Sequence, residues 1–163
     1  MIPAFQEALI RTGVLLDTNL LILYLVGLSN RLRIPTFKRT QVYSEGDFDL
    51  LCALLCPAKA LFTTPHILTE VSDLVKLESP ALDLFLRAFA SWVGWAVEST
   101  PPAVEIVEHE LFRRLGFADT GIAKACEDGP AVLTDDLDLY LALAERELPV
   151  LNFNHARSHF LSL

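Results

Sequence analysis

Residues 13–28 read Gly13-Val14-Leu15-Leu16-Asp17-Thr18-Asn19 and then LLILYLVGL, from Leu20 to Leu28. Gly13 to Leu16 is a short apolar run of the length of a buried strand, and residues 18–28 have the length and composition of a buried helix. The nine-residue apolar run is too short to span a membrane, which takes about 20 residues. One carboxylate, Asp17, stands between the two apolar segments. A charge in such a place is costly unless a partner holds it. The stretch therefore predicts a strand, an acid with a task at its carboxyl end, and a helix packed back on the strand.

The same alternation continues outward. Short apolar runs at Ala60–Thr63, Trp95–Glu98, Ala131–Thr134 and Val150–Asn152 read as four more strands. The segments between them read as helices. One runs from a cap at Asp47 to about Cys56, ahead of Pro57. Another opens at Pro65 and continues through HILTEVSDLVKL. A third opens at Ser79-Pro80 and reaches Trp92, and a fourth runs from Thr100-Pro101 to about Leu115. Ala118–Cys126, residues 137–147 and a short C-terminal segment complete the set, with a turn at Asp128-Gly129-Pro130. Residues 29–46, with Pro35, Gly46 and four basic residues, read as an irregular excursion. Strands separated by helices imply parallel pairing with right-handed crossovers, hence a three-layer α/β/α domain with a five-stranded parallel sheet over residues 1–163. Ligands of such sheets bind beyond the carboxyl ends of the strands, where the strand order reverses. Asp17 follows the first strand and Asp135, Asp136 and Asp138 follow the fourth. If those strands are neighbours, the acids converge.

Composition bounds the function. Hydrophobic residues make up 52% of the chain, enough for a sizeable core. The net charge is −8 and the pI about 4.9, so the overall field repels nucleic acid. An RNA-binding role must then rest on a local basic patch or on bound metal. No basic and apolar secretory leader is expected at the N-terminus. Three cysteines without framework spacing point to a reducing cytoplasm.

Carboxylates gathered in one crevice repel, and without compensation they take up protons. A hard divalent cation such as Mg²⁺ or Mn²⁺ offsets that repulsion in an all-oxygen site. It also activates water and neutralises a phosphate under attack. Strand-end acids with no thiolate or imidazole nearby in sequence thus point to metal-assisted phosphodiester hydrolysis.

Four segments carry a resemblance: LLDTN at 15–19, LTEVSDL at 68–74, FADTGIAKA at 117–125 and VLTDDLDL at 132–139. Their order and spacing resemble the acidic motifs of the PIN-domain ribonucleases. The resemblance implies one or two Mg²⁺ or Mn²⁺ ions and hydrolysis of single-stranded RNA by a metal-activated water. It places Asp17, Glu70, Asp119 and Asp136 as catalytic, metal-ligating acids, with Asp138 as a further ligand and the choice among Asp135, Asp136 and Asp138 open. Thr18 and Thr134 match hydroxyl positions that would hold a metal-bound water, and Asn19 matches a polar brace. Chains of this length resemble the toxin ribonucleases of toxin–antitoxin pairs, which implies a homodimer and an antitoxin protein as partners. A housekeeping RNA-processing role fits the residues equally well.

Arg31, Arg33, Lys38 and Arg39, interleaved with Phe37 and Tyr43, form a basic segment that could bind RNA, the two rings stacking on bases. Lys124, Arg113 and Arg114 flank Asp119 and could meet phosphates. Each of these residues also has a structural reading. Asp119 could cap its helix, Asp135 to Asp138 could be first-turn acids on a helix dipole, Glu70 and Asp73 a solvated face, and the basic segment a solvated loop. Cys52, Cys56, His155 and His159 have the pair spacing of a zinc site, but buried helix cysteines account for the first pair. Trp92 and Trp95 read as core. His66 and His109 lack a triad context, and neither a nucleophile elbow nor a phosphate-binding glycine loop is present. Alternatives to a nuclease are a PIN fold that binds RNA or protein without cutting, and an aspartate-based phosphohydrolase with Asp17 as nucleophile. In the latter, Asn19 occupies the position that a second Asp should hold.

Overall fold

The computed structural model describes residues 2–160. The strands are β1 (Val14–Leu16), β2 (Leu61–Thr63), β3 (Val97–Glu98), β4 (Ala131–Thr134) and β5 (Val150–Asn152). They pair in the order β3-β2-β1-β4-β5, parallel throughout. Every residue of β1 and β4 is buried, as the unbroken apolar runs require of central parallel strands. The edge strand β3 is two residues long and exposed, a short edge that offers little to stray pairing. Gly13 leads into β1 at φ +135°, and a Cβ there would stand 2.3 Å from the Ala60 carbonyl oxygen. Glycine at this position is what allows the chain to come so close to β2.

The helices are α1 (Ile2–Arg11), α2 (Thr18–Asn30), α3 (Glu45–Leu55), α4 (Pro65–Leu74), α5 (Ala81–Val93), α6 (Ala103–Glu108), α7 (Phe112–Glu127), α8 (Leu137–Ala144) and α9 (Phe153–Phe160). α2 packs on α3, α4 and α5, while α7 packs on α6 and α8, and both groups also touch β4. Right-handed crossovers put connections that run leftward from β1 on one face and those that run rightward to β4 and β5 on the other. The result is the three-layer α/β/α arrangement expected from the sequence, consistent with a PIN-like domain. Among the described residues, no helix is long and apolar enough to cross a membrane.

Several local expectations change. Helix α1 was not expected; it docks through Phe5 and Leu9, one turn apart and both buried. Helix α3 is capped by Ser44 rather than Asp47. Asp47 sits three residues on and closes a capping box back to the Ser44 backbone. The segment expected as one helix to Leu115 breaks at His109–Leu111 into α6 and α7. Helix α7 then kinks at Gly116, where φ 78° and ψ −172° lie in territory that only glycine occupies readily. Residues 31–44 are not a loose loop. Arg31–Arg33 form a 3₁₀ turn, Ile34, Phe37 and Tyr43 are buried, and the buried Thr40 hydroxyl donates to the Ile34 carbonyl. Trp92 is core, but Trp95 is 53% exposed and meets Trp92 edge to face.

Candidate active site

The strand order reverses between β1 and β4, and the acids that follow them meet there. A cavity of about 390 Å³ is lined by Asp17, Thr18, Asn19, Glu70, Asp73, Leu74, Asp119 and Asp136. These residues come from the β1–α2 junction, from α4, from the second part of α7, and from the β4–α8 turn. The four acids expected to act together do line one space.

Each acid has a distinct local support. Asp17 follows β1 and caps α2, its Oδ1 accepting from the Leu20 amide at 2.9 Å. Its Oδ2 accepts from the Thr134 hydroxyl and from the Asp135 amide at 2.9 Å. Burial, with the Asp135 charge second, pushes its carboxyl up to about 8 despite those hydrogen bonds. Glu70, on α4, accepts at Oε2 from the Thr18 hydroxyl at 2.5 Å. Asp119 lies half-buried on the first full turn after the Gly116 kink. Its carboxyl is pushed up to about 6 by burial and then by the charges of Asp136 and Glu70. Asp136 caps α8 through Oδ1 and the Leu139 amide at 2.9 Å, and faces the cavity.

The fourth motif divides its acids. Asp135 is held outside the cavity lining: Oδ2 accepts from the Tyr43 hydroxyl, and Oδ1 from the Asn19 amide at 3.1 Å. Asn19 thus braces the first motif against the fourth. Asp138, expected as a ligand, does not line the cavity. It is 80% exposed and pairs with Arg114 at 3.8 Å, because the first turn of α8 carries it to the surface. The hydroxyls of Thr18 and Thr134 donate to Glu70 and Asp17, and Thr18 lines the cavity while Thr134 does not. Asp73 is a further acid of the cavity; its spacing of three from Glu70 on one helix was the available signal.

The expected RNA-binding residues do not gather at the acids. Arg31, Arg33, Lys38, Arg39 and Lys124 are absent from the cavity wall. Arg31 pairs with Glu45 and Asp49, and Lys124 with Glu127 and Glu105. Phe37 and Tyr43 are buried, which removes them as base-stacking platforms. Arg114 is taken up by Asp138 and Glu145. The cysteine and histidine pairs line different cavities, one with Tyr24 and Trp95, the other with Phe5 and Leu151. Cys52 is half-buried and Cys56 exposed, so the buried-cysteine reading holds for neither.

Among the described residues, no three Asp, Glu, His or Cys side chains stand as a ready ligand cluster for a metal ion. Hydroxyls and amides hold Asp17 and Glu70 instead. The donor chemistry still fits a hard divalent cation: the cavity is walled by carboxylates, and mutual repulsion helps to raise Asp119. The fit is one of donor type and charge rather than of preset geometry. Set against known proteins, the chain matches no family model, no curated protein and no solved structure. Fold and site therefore rest on the chain's own residues.

Proposed function

We propose that this protein is a Mg²⁺- or Mn²⁺-dependent endoribonuclease acting on single-stranded RNA. The observation that supports the reading is the convergence of Asp17, Glu70, Asp119 and Asp136, from four separate segments, on one cavity at the reversal point of the sheet. A bound divalent ion would supply charge neutralisation at the scissile phosphate and activation of water. The chain's part is to hold the acids. Asp17 is oriented by two amides and Thr134, and Glu70 by Thr18. Asp119 brings its charge close to those of Asp136 and Glu70. A divalent ion relieves the repulsion that otherwise favours protonation of these groups.

An aspartyl nucleophile is the weaker reading. The second acid that such chemistry needs is replaced by Asn19, whose side-chain amide donates to Asp135. Partner proteins follow from the resemblance to toxin ribonucleases. Exposed apolar side chains on α5 and α6, Leu84, Leu86, Val104 and Val107, offer surface for a second copy or an antitoxin. Cytoplasmic location belongs to the same reading.

The test is cleavage of a labelled single-stranded RNA. Cleavage is expected with Mn²⁺ or Mg²⁺, none in EDTA, and none with Asp17→Asn of unchanged circular dichroism. Robust cleavage in EDTA sinks the mechanism. Binding without cleavage at any divalent ion concentration favours the non-catalytic module.

A further inference from the structure

We infer that Tyr43 is a positioning residue of the candidate metal site, holding Asp135 aside so that the cavity keeps Asp136; the inference rests on the metal-dependent reading above. Tyr43 belongs to the excursion of residues 31–44, remote in sequence from the acidic motifs. It is 4% exposed, and its hydroxyl donates to Asp135 Oδ2. The ring is fixed on two sides. Phe153 meets it edge to face at 6.2 Å, and the Arg157 guanidinium lies over it at 5.2 Å. Arg157 is itself clamped. It donates to both Asp47 oxygens, at 2.7 and 3.0 Å, and to the Val42 carbonyl at 3.1 Å. Asp47 closes the capping box of α3 with Ser44, the residue after Tyr43. The hydroxyl is thus delivered by a rigid set of contacts from α3 and α9, and Tyr43 does not line the cavity.

The consequence passes through Asp135. Its backbone amide donates to Asp17 Oδ2, and its carboxylate is shared between Tyr43 and Asn19. Fixing that carboxylate fixes the amide, and with it the orientation of Asp17. It also keeps a further negative charge engaged outside the cavity wall. Asp135 stands one shell out from Asp17, where partners commonly set metal affinity, and Tyr43 acts on it from one step further.

The experiment is Mn²⁺ titration calorimetry on the full chain, with Tyr43→Phe, Asp135→Asn and the double variant. Tyr43→Phe keeps the ring and removes only the hydroxyl. It should weaken Mn²⁺ binding about tenfold. In the Asp135→Asn background the same substitution should change Mn²⁺ affinity little, because the hydroxyl acts through Asp135. In RNA cleavage Tyr43→Phe should lower kcat and leave KM alone, since the buried hydroxyl does not meet substrate. Wild-type affinity in Tyr43→Phe, or effects that simply add in the double variant, overturns this inference and leaves the metal site standing. Absence of Mn²⁺ binding in the unaltered protein overturns both.

Discussion

Asp135 and Asp136 share a turn and serve different partners. Asp135 spends its oxygens on Tyr43 and Asn19, while Asp136 caps α8 with one oxygen and lines the cavity. Asp136→Asn should therefore reduce metal-dependent cleavage more than Asp135→Asn, measured as initial rate across a Mn²⁺ titration; the reverse order would reassign the fourth acid. The titration of the acids gives a second test. Asp17 and Asp119 are raised from 3.8 to about 8 and about 6, chiefly by burial. The folded chain then holds protons that the unfolded chain has released, so stability falls as pH rises through this window. Without divalent ions the thermal midpoint should drop between pH 4 and 8, beginning near 3.8 and ending near the value for Asp17. Mn²⁺ should restore more stability at the alkaline end, where the ligands are ionised. A midpoint indifferent to both pH and Mn²⁺ would contradict the burial of these charges. Asp17 was legible in the sequence because a carboxylate between apolar runs needs a reason. Tyr43 and Arg157 were not, since their partners lie about a hundred residues away and nothing local marks the contact.

At the scale of elements, the strands were legible and the helix ends less so. Each central strand is an unbroken apolar run, a pattern that survives any register. Helix ends depend on single capping groups. Ser44 displaced the expected Asp47, and His109 to Leu111 split a segment whose spacing looked continuous. Gly116 matters most among these for function, because the helix restarts there just before Asp119. A Cβ at Gly116 would meet nothing within 4 Å, so any cost of Gly116→Ala is conformational. Holding a non-glycine residue in that backbone region costs about 1–3 kcal/mol. A loss of that size in denaturant unfolding, with reduced metal affinity through Asp119, is expected; an unchanged midpoint would mean that the kink is not required.

Across the whole molecule, a formal net charge of −8 opposes the proposed phosphodiester substrate unless cations intervene. Half of that formal charge is assigned to Asp17, Glu70, Asp119 and Asp136, which the fold concentrates at one end of β1 and β4. The expected basic counterweight did not materialise at the site, because Arg31, Lys124 and Arg114 are engaged with acids of their own. Glu70 and Asp119 were placed mostly by the resemblance, while the parallel layers and the meeting of Asp17 with the acids after β4 followed from the alternation of apolar runs. The basic interface did not, because the sign of a side chain says nothing of its partners. Binding of a divalent ion in the acid cavity is the step on which the proposed chemistry depends. Crystals soaked in Mn²⁺ and measured for anomalous scattering test this directly. A peak within the cavity bounded by Asp17, Glu70, Asp119 and Asp136, lost in Asp17→Asn crystals, is the predicted result; an empty cavity at saturating Mn²⁺, or a peak only elsewhere on the surface, would contradict it.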